Sequence, residues 1–363
     1  MLQAFDQVRK LMRQVKNGTK TARLTPGVFR RWADETAQTP DVTSTAGENE
    51  GGLQFDNPFT LADFEVFDDN ALKELFRRNS FGVSLKELAL ALHGENSTLA
   101  QKISRQLPLA RRLRFRRELN RPASLPKIEA ARQKLLDAFF WELTYWKTPE
   151  LYEELTAGEK LHPGIFRDLA ASLRDKTVLD AGAGTGRASF ESLQQGAAMV
   201  YAVEPSPGLL HILETKLKDT PAGKRIKPLQ GRFDAIPLPD DSVDLALSSS
   251  AFTADPEQGG EIGLKELVRV TKDGGKIVII WPRPQDYGWL AGHGFSYVAL
   301  PGSSKMKVVF PNMKVAWQVA RRFYAHNRKL RTYLKKQQRP EVPFSVLGFN
   351  PPHDYCWLTV HKK

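Results

Sequence analysis

The chain has 363 residues and a formal net charge of +12, from 53 Lys and Arg residues against 41 Asp and Glu residues. This length exceeds that of one typical domain, so we expect two globular units or one large unit with appendages. With 41% hydrophobic and 26% charged residues, the composition excludes a wholly disordered chain, a collagen and a coiled coil.

Two further features bear on the compartment of the protein. No run approaches the roughly 18–20 apolar residues that span a bilayer, and the N-terminal residues lack the continuous apolar core of a secretory signal. The single cysteine, Cys356, excludes an intramolecular disulfide and a multi-cysteine metal site. We therefore expect a cytoplasmic protein that makes no membrane contact.

The positive charge is concentrated in two segments. Residues 101–150 hold 12 basic and 5 acidic residues, and residues 301–363 hold 13 and 2. The intervening residues 151–300 are mildly acidic, with 16 basic and 20 acidic residues. Charge of one sign favours contact with a polyanion, because attraction to phosphate is largely independent of sequence. The alternative is a solvated basic face that only aids solubility.

The N-terminal residues 1–58 predict basic helices followed by a linker. Residues 1–32 have the pattern of one or two short basic helices. Residues 33–58 are rich in Thr, Glu, Gly and Asp and poor in large apolar groups. They cannot bury enough surface to offset the entropy of ordering, so we interpret them as a flexible linker.

Two capping-box patterns predict a pair of helices within a small helical domain at 59–124. The first box lies at 84–87 and the second at 98–101, and in each a hydroxyl can accept from a backbone N–H three residues on. Gly94 lies between them, so the layout is that of a helix-turn-helix. The Arg-rich stretch that follows favours a nucleic-acid-binding module. The alternative is a helical bundle packed on the main domain.

From residue 125 to the C-terminus the pattern predicts one α/β domain. An amphipathic helix is predicted over 126–146, where the aromatic residues favour core packing. Strands are then predicted at 177–181, 199–203, 226–229, 243–248, 276–281, 295–300, 306–310 and 355–361. Helices are predicted at 187–195, 207–218 and 260–271, with a basic helix at 314–337. This alternation predicts a parallel sheet covered on both faces, with ligands at the carboxyl ends of its strands.

The most informative stretch follows the first of these strands, where Gly182, Gly184 and Gly186 alternate before a helix. Glycines there allow a tight turn and a close ligand. Glu204 follows at the end of the next strand, where a carboxylate can accept from both ribose hydroxyls. The loop lacks the Gly-Lys-Ser/Thr of an NTPase, and Arg187 stands where a dinucleotide fingerprint needs Gly or Ala. S-adenosyl-L-methionine (SAM), which has no pyrophosphate, is the third option.

Four segments resemble class I SAM-dependent methyltransferases with a methyltransferase type 11-like core. They are VLDAGAGTG (178–186), YAVEPSPGLL (201–210), QGRFDAIPLPDDSVDLALSSSAF (230–252) and ELVRVTKDGGKIVIIWP (266–282). The resemblance implies an α/β fold with a doubly wound, mostly parallel seven-stranded sheet whose last strand is antiparallel. It places the SAM-binding core at about 160–300 of the domain 125–363, after an N-terminal α-helical region.

The same resemblance implies a SAM site. The glycine loop would surround the methionine part, Glu204 would hold the ribose, the 232–234 segment would meet the adenine, and Ser248 would lie by the sulfonium. Many relatives carry Asp where this chain has Arg232, and an Arg side chain has no acceptor. Phe233 and Asp234 are therefore the expected adenine contacts. The implied cofactor-binding residues are Asp180, Gly182, Ala183, Gly184, Thr185, Gly186, Glu204, Pro205, Phe233, Asp234 and Ser248.

The methyl acceptor is less specified. No catalytic residue stands out, and no cluster has metal-ligand spacing, so we expect no metal. Cys356 lies too late for an RNA cytosine-C5 enzyme, and 248–252 lacks the Asn/Asp-Pro-Pro motif of amino-group methyltransferases. The core slightly favours a small-molecule acceptor, whereas the basic flanks favour a nucleic acid. The alternative function is a nucleic-acid-binding helix-turn-helix protein whose methyltransferase-like domain binds SAM without catalysis.

Overall fold

The structure is a computed structural model and describes residues 2–38, 57–76, 80–94 and 97–362. The chain divides into two compact units. The sheet unit comprises Met1–Phe55 and Glu153–Lys363, and the helical unit comprises Asp56–Tyr152.

Strands and helices alternate through most of the sheet unit, whereas the helical unit has no strand in its described residues. The strands are β1 (Ala22–Leu24), β2 (Thr177–Ala181), β3 (Met199–Glu204), β4 (Ile226–Gln230), β5 (Val243–Ser249), β6 (Thr271–Ile280), β7 (Ser296–Ala299), β8 (Lys307–Val309), β9 (Glu341–Pro343) and β10 (Asp354–Thr359). The helices are α1 (Leu2–Lys16), α2 (Pro26–Gln38), α3 (Asp69–Phe76), α4 (Leu85–Ala91), α5 (Ser97–Gln106), α6 (Leu109–Leu119), α7 (Leu125–Ala138), α8 (Phe140–Lys147), α9 (Pro149–Thr156), α10 (Pro163–Leu173), α11 (Arg187–Gln194), α12 (Pro207–Leu217), α13 (Gly260–Val270), α14 (Tyr287–Gly292), α15 (Met313–Arg322), α16 (Arg328–Gln337) and α17 (Phe344–Leu347). Short 3-10 helices lie at Leu61–Val66, Ser80–Gly82, Pro221–Lys224, Pro256–Gln258, Pro284–Asp286 and Ser303–Lys305. Across the described ranges, no helix has the length and apolar character needed to cross a bilayer.

The main sheet has eight strands in the order β1-β7-β10-β6-β5-β2-β3-β4. Strands β2 to β6 are mutually parallel, and β10 lies antiparallel between β6 and β7. This arrangement confirms the predicted α/β fold with a mostly parallel sheet and an antiparallel last strand. The sheet has one strand more than the seven predicted.

Helices cover both faces of the sheet, because the apolar side chains of its buried strands point alternately to opposite sides. Leu179 packs in one core layer with residues of α1, α2, α13 and α14. Its neighbour Val178 packs in the other layer with residues of α10, α11 and α12. The sheet is therefore doubly wound, as predicted.

The additional strand, β1, comes from the N-terminal region that the sequence predicts to be helical. It pairs antiparallel with the strand β7. Its Arg23 forms an ion pair with Asp168 of α10, with 2.7 Å between Nη2 and Oδ2. A three-residue strand has too short an alternation pattern to be recognised without its partner, so the sequence does not predict β1.

Helix α2 holds this N-terminal region on the sheet. Phe29 is fully buried and stacks on Tyr297 of β7 with 5.0 Å between ring centroids. Trp32 stacks on the same tyrosine at 5.2 Å. Because α2 continues to Gln38, the first part of the predicted linker is helical. The rest of that linker, up to residue 56, lies outside the described residues.

The helical unit is built around buried aromatic rings. Phe139 packs against Phe64, Phe76 and Phe81 with centroid distances of 5.5, 5.2 and 4.9 Å. The helix predicted over 126–146 is divided at Phe139 into α7 and α8. Since α7 packs on α4, and α8 on the 3-10 turn before α3, the compact unit extends to Tyr152 rather than ending at 124.

One of the two predicted capping boxes is formed. The Ser84 hydroxyl accepts from the Glu87 backbone N–H at 3.2 Å, and Glu87 accepts from the Ser84 N–H at 2.8 Å, so α4 begins as predicted. The box predicted at Thr98 is wrong, because α5 already begins at Ser97. Helix α4 packs mainly on α6 and α7, whereas α5 packs mainly on α3. The helix-turn-helix stays a prediction.

An insertion separates β7 from β10 and comprises residues 301–353. Within it, β8 pairs with β9 in a separate two-stranded sheet. The helix predicted over 314–337 is two helices, α15 and α16. The break lies at Asn327, a fully buried residue whose side chain accepts from the Leu330 N–H at 2.9 Å and caps α16.

Phe29→Ala should lower the free energy of unfolding by about 3–5 kcal/mol, because it removes a fully buried ring between α2 and β7. Urea unfolding followed by tryptophan fluorescence would measure the change. The control is Ile262→Ala, which removes an apolar side chain that is 46% exposed. The free energy of unfolding of that control should stay within about 0.5 kcal/mol of the value for the unmodified chain. A similar small effect of both changes would show that α2 is not part of the core.

Candidate functional site

The predicted site segments meet at one edge of the sheet. Parallel pairing places the carboxyl ends of β2 to β6 along that edge. Asp180 lies near the end of β2, Glu204 ends β3, residues 231–235 follow β4, and Ser248 lies near the end of β5. Residues that are far apart in sequence therefore line a common surface, where ligands of such sheets bind.

The glycine loop after β2 has a backbone that side chains would disturb. Gly182, Gly184 and Gly186 have φ angles of 72°, 54° and 96°, in the left-handed region. A Cβ on Gly182 would lie 2.6 Å from the Cβ of Ala251, so there is no space for one. The Ala183 N–H donates to the Val203 carbonyl at 3.0 Å. The loop is thus held tightly against the end of β3.

Glu204 holds the loop from the other side. Its Oε2 accepts from the Gly184 backbone N–H at 2.9 Å, and its Oε1 accepts from the Ser206 N–H at 3.0 Å. Burial raises the pKa of this carboxyl group to about 7. Each carboxylate oxygen can accept more than one hydrogen bond, so Glu204 can fix the loop and still receive ligand hydroxyls.

Asp180 lies beneath the same loop and is 1% exposed. Its Oδ2 accepts from the Ser189 hydroxyl at 2.6 Å. Within the described residues, no donor reaches the buried Oδ1. Burial raises the pKa of Asp180 to about 6. A buried acceptor without a donor is costly, so this oxygen is suited to a ligand donor. Ser189 had no signal in the sequence that marked it as a site residue.

Arg187, at the start of α11, connects the loop to two other segments. Its Nη1 donates to the Glu159 carbonyl at 2.8 Å, and its Nη2 donates to the Ser250 hydroxyl at 3.3 Å. Glu159 is buried, and desolvation raises the pKa of its side chain to about 7 despite the nearby guanidinium. The sequence carries no signal for this cluster, because its members are distant in the chain and share no spacing motif.

The edge beyond β5 and β6 contains two strained residues. Ser250 directly follows β5 with φ 62°, and Trp281 directly follows β6 with φ 56°. Such angles are unfavourable for non-glycine residues and concentrate at functional sites. The Trp281 ring contacts Phe344 and Phe349 of the insertion, at centroid distances of 6.2 and 6.0 Å. The insertion therefore borders the site.

The segment after β4 forms the other side of the edge. Arg232 Nε donates to Asp234 Oδ1 at 3.0 Å, so these side chains form an ion pair. The Phe233 ring packs edge-on to Phe252 at 5.3 Å. A pocket with about 190 Å³ of empty space is lined by Ala181, Gly182, Val203, Pro205, Gly231, Arg232, Phe233 and Ile236.

The other implied residues use their polar groups within the protein. The fully buried Ser248 hydroxyl accepts from the Phe252 N–H at 3.2 Å. The Thr185 carbonyl accepts from Lys216 Nζ at 3.2 Å. The Pro205 carbonyl accepts from the side-chain amide N–H of Gln230, at the end of β4, at 3.2 Å. These residues support the shape of the edge.

Gly182→Ala should lower the free energy of unfolding by at least about 2 kcal/mol, because it combines left-handed strain with a steric clash. The matched control is Gly288→Ala in α14, where an added Cβ would meet nothing within 4 Å. That change should be neutral or stabilising by up to about 1 kcal/mol. Urea unfolding would compare the two variants. An equal effect at both positions would contradict the packing described for the loop.

Two family models match separate parts of the chain. The model described as a methyltransferase domain matches residues 178–275, from β2 into β6. The model described as the FliG C-terminal domain matches residues 56–139, in the helical unit. The second similarity had not been predicted from the sequence.

Individual relatives match the chain over limited lengths. An uncharacterized methyltransferase of Mycobacterium tuberculosis is 35% identical over 135 residues, which are 37% of this chain and 51% of the relative. The histone-arginine methyltransferase CARMER of Drosophila erecta is 37% identical over 79 residues, 22% of this chain and 14% of the relative. A SAM-dependent methyltransferase structure from Mesorhizobium loti is 22% identical with a TM-score of 0.28, and the match covers 32% of this chain and 51% of that structure's chain. The chain spans about half the length of the mycobacterial relative.

The family model and the site geometry concern the same residues. The matched range 178–275 contains the glycine loop, Glu204 and the segments after β4 and β5. The sheet around it has the antiparallel β10 between β6 and β7. Residues 178–275 of the chain are therefore similar to a methyltransferase domain.

Proposed function

We propose that the protein is a SAM-dependent methyltransferase. The observation that carries this proposal is the closure of the glycine loop by Glu204, which places a buried carboxylate beside a backbone in the left-handed region that favours glycine. The chain spans about half of its mycobacterial relative, so the activity of the whole protein is part of the proposal.

The residues at the edge fit SAM. The buried Asp180 oxygen that has no donor among the described residues can accept from the methionine part, and the loop lets that part approach closely. Glu204 can accept from the ribose hydroxyls. Phe233 offers an aromatic ring to the adenine, and Asp234 is less available because Arg232 pairs with it.

When bound, SAM supplies a methyl group activated by its sulfonium. The chain's own residues hold and orient the reactants, because alignment supplies much of the rate of an in-line displacement. Arg187 fixes the Ser250 segment against the loop. Glu159 is buried beside this arginine and can hold a proton near neutral pH, since burial raises its pKa to about 7.

We assign the methyl acceptor to the side of Ser250 and Trp281. Strain at both residues gives this side a defined shape, and the insertion borders it. The sequence of the core slightly favours a small-molecule acceptor. The basic surface of the insertion favours a nucleic acid, and we consider the nucleic acid the better supported of the two.

SAM labelled in its methyl group should transfer label to a component of a cell extract. The extract would be separated into RNA, DNA, protein and small-molecule fractions after incubation with the protein. We expect label in one fraction and none with heat-inactivated protein. Calorimetric binding of SAM without transfer to any fraction would instead indicate a SAM-binding protein. Absence of SAM binding would contradict the proposal as a whole.

SAM affinity should rise as the pH increases from 6 to 8. Burial raises the pKa of Glu204 to about 7, so at lower pH the protonated group is a poorer acceptor for the ribose. The dissociation constant should increase by up to about tenfold for each pH unit below that pKa. Calorimetry across this range would measure it.

Glu204→Gln should weaken SAM binding and remove most of this dependence. Glu159→Gln is the matched control, because burial also raises the pKa of Glu159 to about 7. The control should retain the dependence. If Glu159→Gln removes it and Glu204→Gln does not, the ribose contact is wrongly assigned.

A further inference from the structure

The insertion presents a strongly basic surface, here called the basic face. It consists of exposed side chains of α15 and α16 and of the residue that follows shortly after α16, namely Arg321, Arg328, Arg331, Lys335, Lys336 and Arg339. None of these six forms an ion pair with a residue in the described part of the chain. Glu341 is the only acidic residue in 301–353, and it lies 3.7 Å from Lys307. The positive charge is thus uncompensated within the insertion.

The placement of these charges helps α16 to form only at its end, where Lys335 and Lys336 in the last turn complement the helix dipole. Arg328 and Arg331 are three residues apart, and Arg331 and Lys335 are four apart, so like charges are neighbours on the helix surface. Each such pair costs about 0.2–0.5 kcal/mol. Arg328 also occupies the first helical turn, where the helix dipole disfavours a cation. A role outside the helix accounts for this arrangement better than helix stability does.

The chemistry of the basic face favours phosphodiesters over a lipid surface. A helix that binds at a membrane surface needs an exposed apolar side. The apolar side of α16 is formed by Leu330 and Leu334, and both are fully buried. In the described part of the insertion, the only large hydrophobic side chain among the exposed residues is Val309, which lies on β8. The face therefore offers cations without an apolar anchor.

A chain of contacts attaches the basic face to the candidate acceptor side. Asn327, which caps α16, donates to the Leu347 carbonyl of α17 at 3.3 Å. Just before it, Tyr324 stacks on Phe349 at 6.3 Å, and Phe349 contacts Trp281 at 6.0 Å. The N-terminal end of α16 is thereby held close to the carboxyl end of β6.

We propose that the basic face binds single-stranded nucleic acid and presents it to the edge at Trp281. Cations neutralise the phosphates, and an aromatic ring near them can stack on an unpaired base. A base inside a duplex is stacked and out of reach of such an edge. The presentation to the edge rests on the proposed methyl transfer, whereas the binding does not.

Fluorescence anisotropy with a labelled single-stranded RNA of about 20 nucleotides tests the binding over about 50–200 mM salt. The test variant replaces Arg328, Lys335, Lys336 and Arg339 by Gln, because these exposed side chains have no structural partner among the described residues. It should bind at least about tenfold more weakly. The slope of log affinity against log salt should fall by up to about 3, at about 0.7 for each phosphate that the variant no longer neutralises.

The matched control replaces Lys218, Lys224, Lys227 and Lys265 by Gln, which removes the same charge from exposed positions elsewhere in the sheet unit. It should change the affinity less than about threefold. An equal loss in both variants would overturn the proposal, because it would show attraction to net charge alone. Circular dichroism would establish that both variants are folded.

Three further arms use the unmodified protein. Comparable binding of a DNA strand of the same sequence supports the proposal, whereas tighter binding of the RNA duplex overturns the single-stranded assignment. Binding to phosphatidylserine vesicles without binding to either strand overturns the proposal in favour of a membrane. SAM affinity is measured separately, so a protein that binds RNA but not SAM would refute the proposed function and leave the nucleic-acid surface established.

Discussion

The hydrogen bonds between Glu204 and two backbone N–H groups are the constraint on which the candidate site depends. One bond reaches into the glycine loop after β2 and the other into the turn before α12. A single carboxylate therefore keeps two neighbouring strand ends in register with each other. Burying the charged carboxylate costs free energy, and this cost raises the pKa of Glu204 to about 7. The rest of the edge is arranged around this fixed pair of segments.

Charge is divided between the two sides of this edge. Asp180 and Glu204 bury carboxyl groups on the cofactor side, where the proposed SAM would bring a cationic sulfonium and amino group. The insertion, which borders the proposed acceptor side, is strongly basic. In the proposed function the two ligands have opposite charge, so each is repelled from the binding surface of the other. Such complementarity favours correct orientation as well as affinity.

The sequence predicted those features whose signal is local. The alternation of strand and helix patterns predicts β2 to β6, and the spacing of the glycines predicts the loop after β2. The capping box of Ser84 and Glu87 predicts the start of α4. The Arg187 contacts with Glu159 and Ser250 could not be predicted, because they join segments 28 and 63 residues away. The break at Asn327 was missed for a related reason: its amide is drawn into tertiary bonds with α17, which override the helical pattern on both sides.

Strand β1 has a consequence for how the chain folds. Ala22 pairs with Ala299, so all of the parallel strands lie between β1 and its partner β7 in the sequence. Contacts so distant in sequence form slowly, because the chain must lose the entropy of closing a long loop before these contacts can stabilise it. We therefore expect β1 to pair with β7 after the parallel strands have assembled, so that its docking completes the main sheet late in folding.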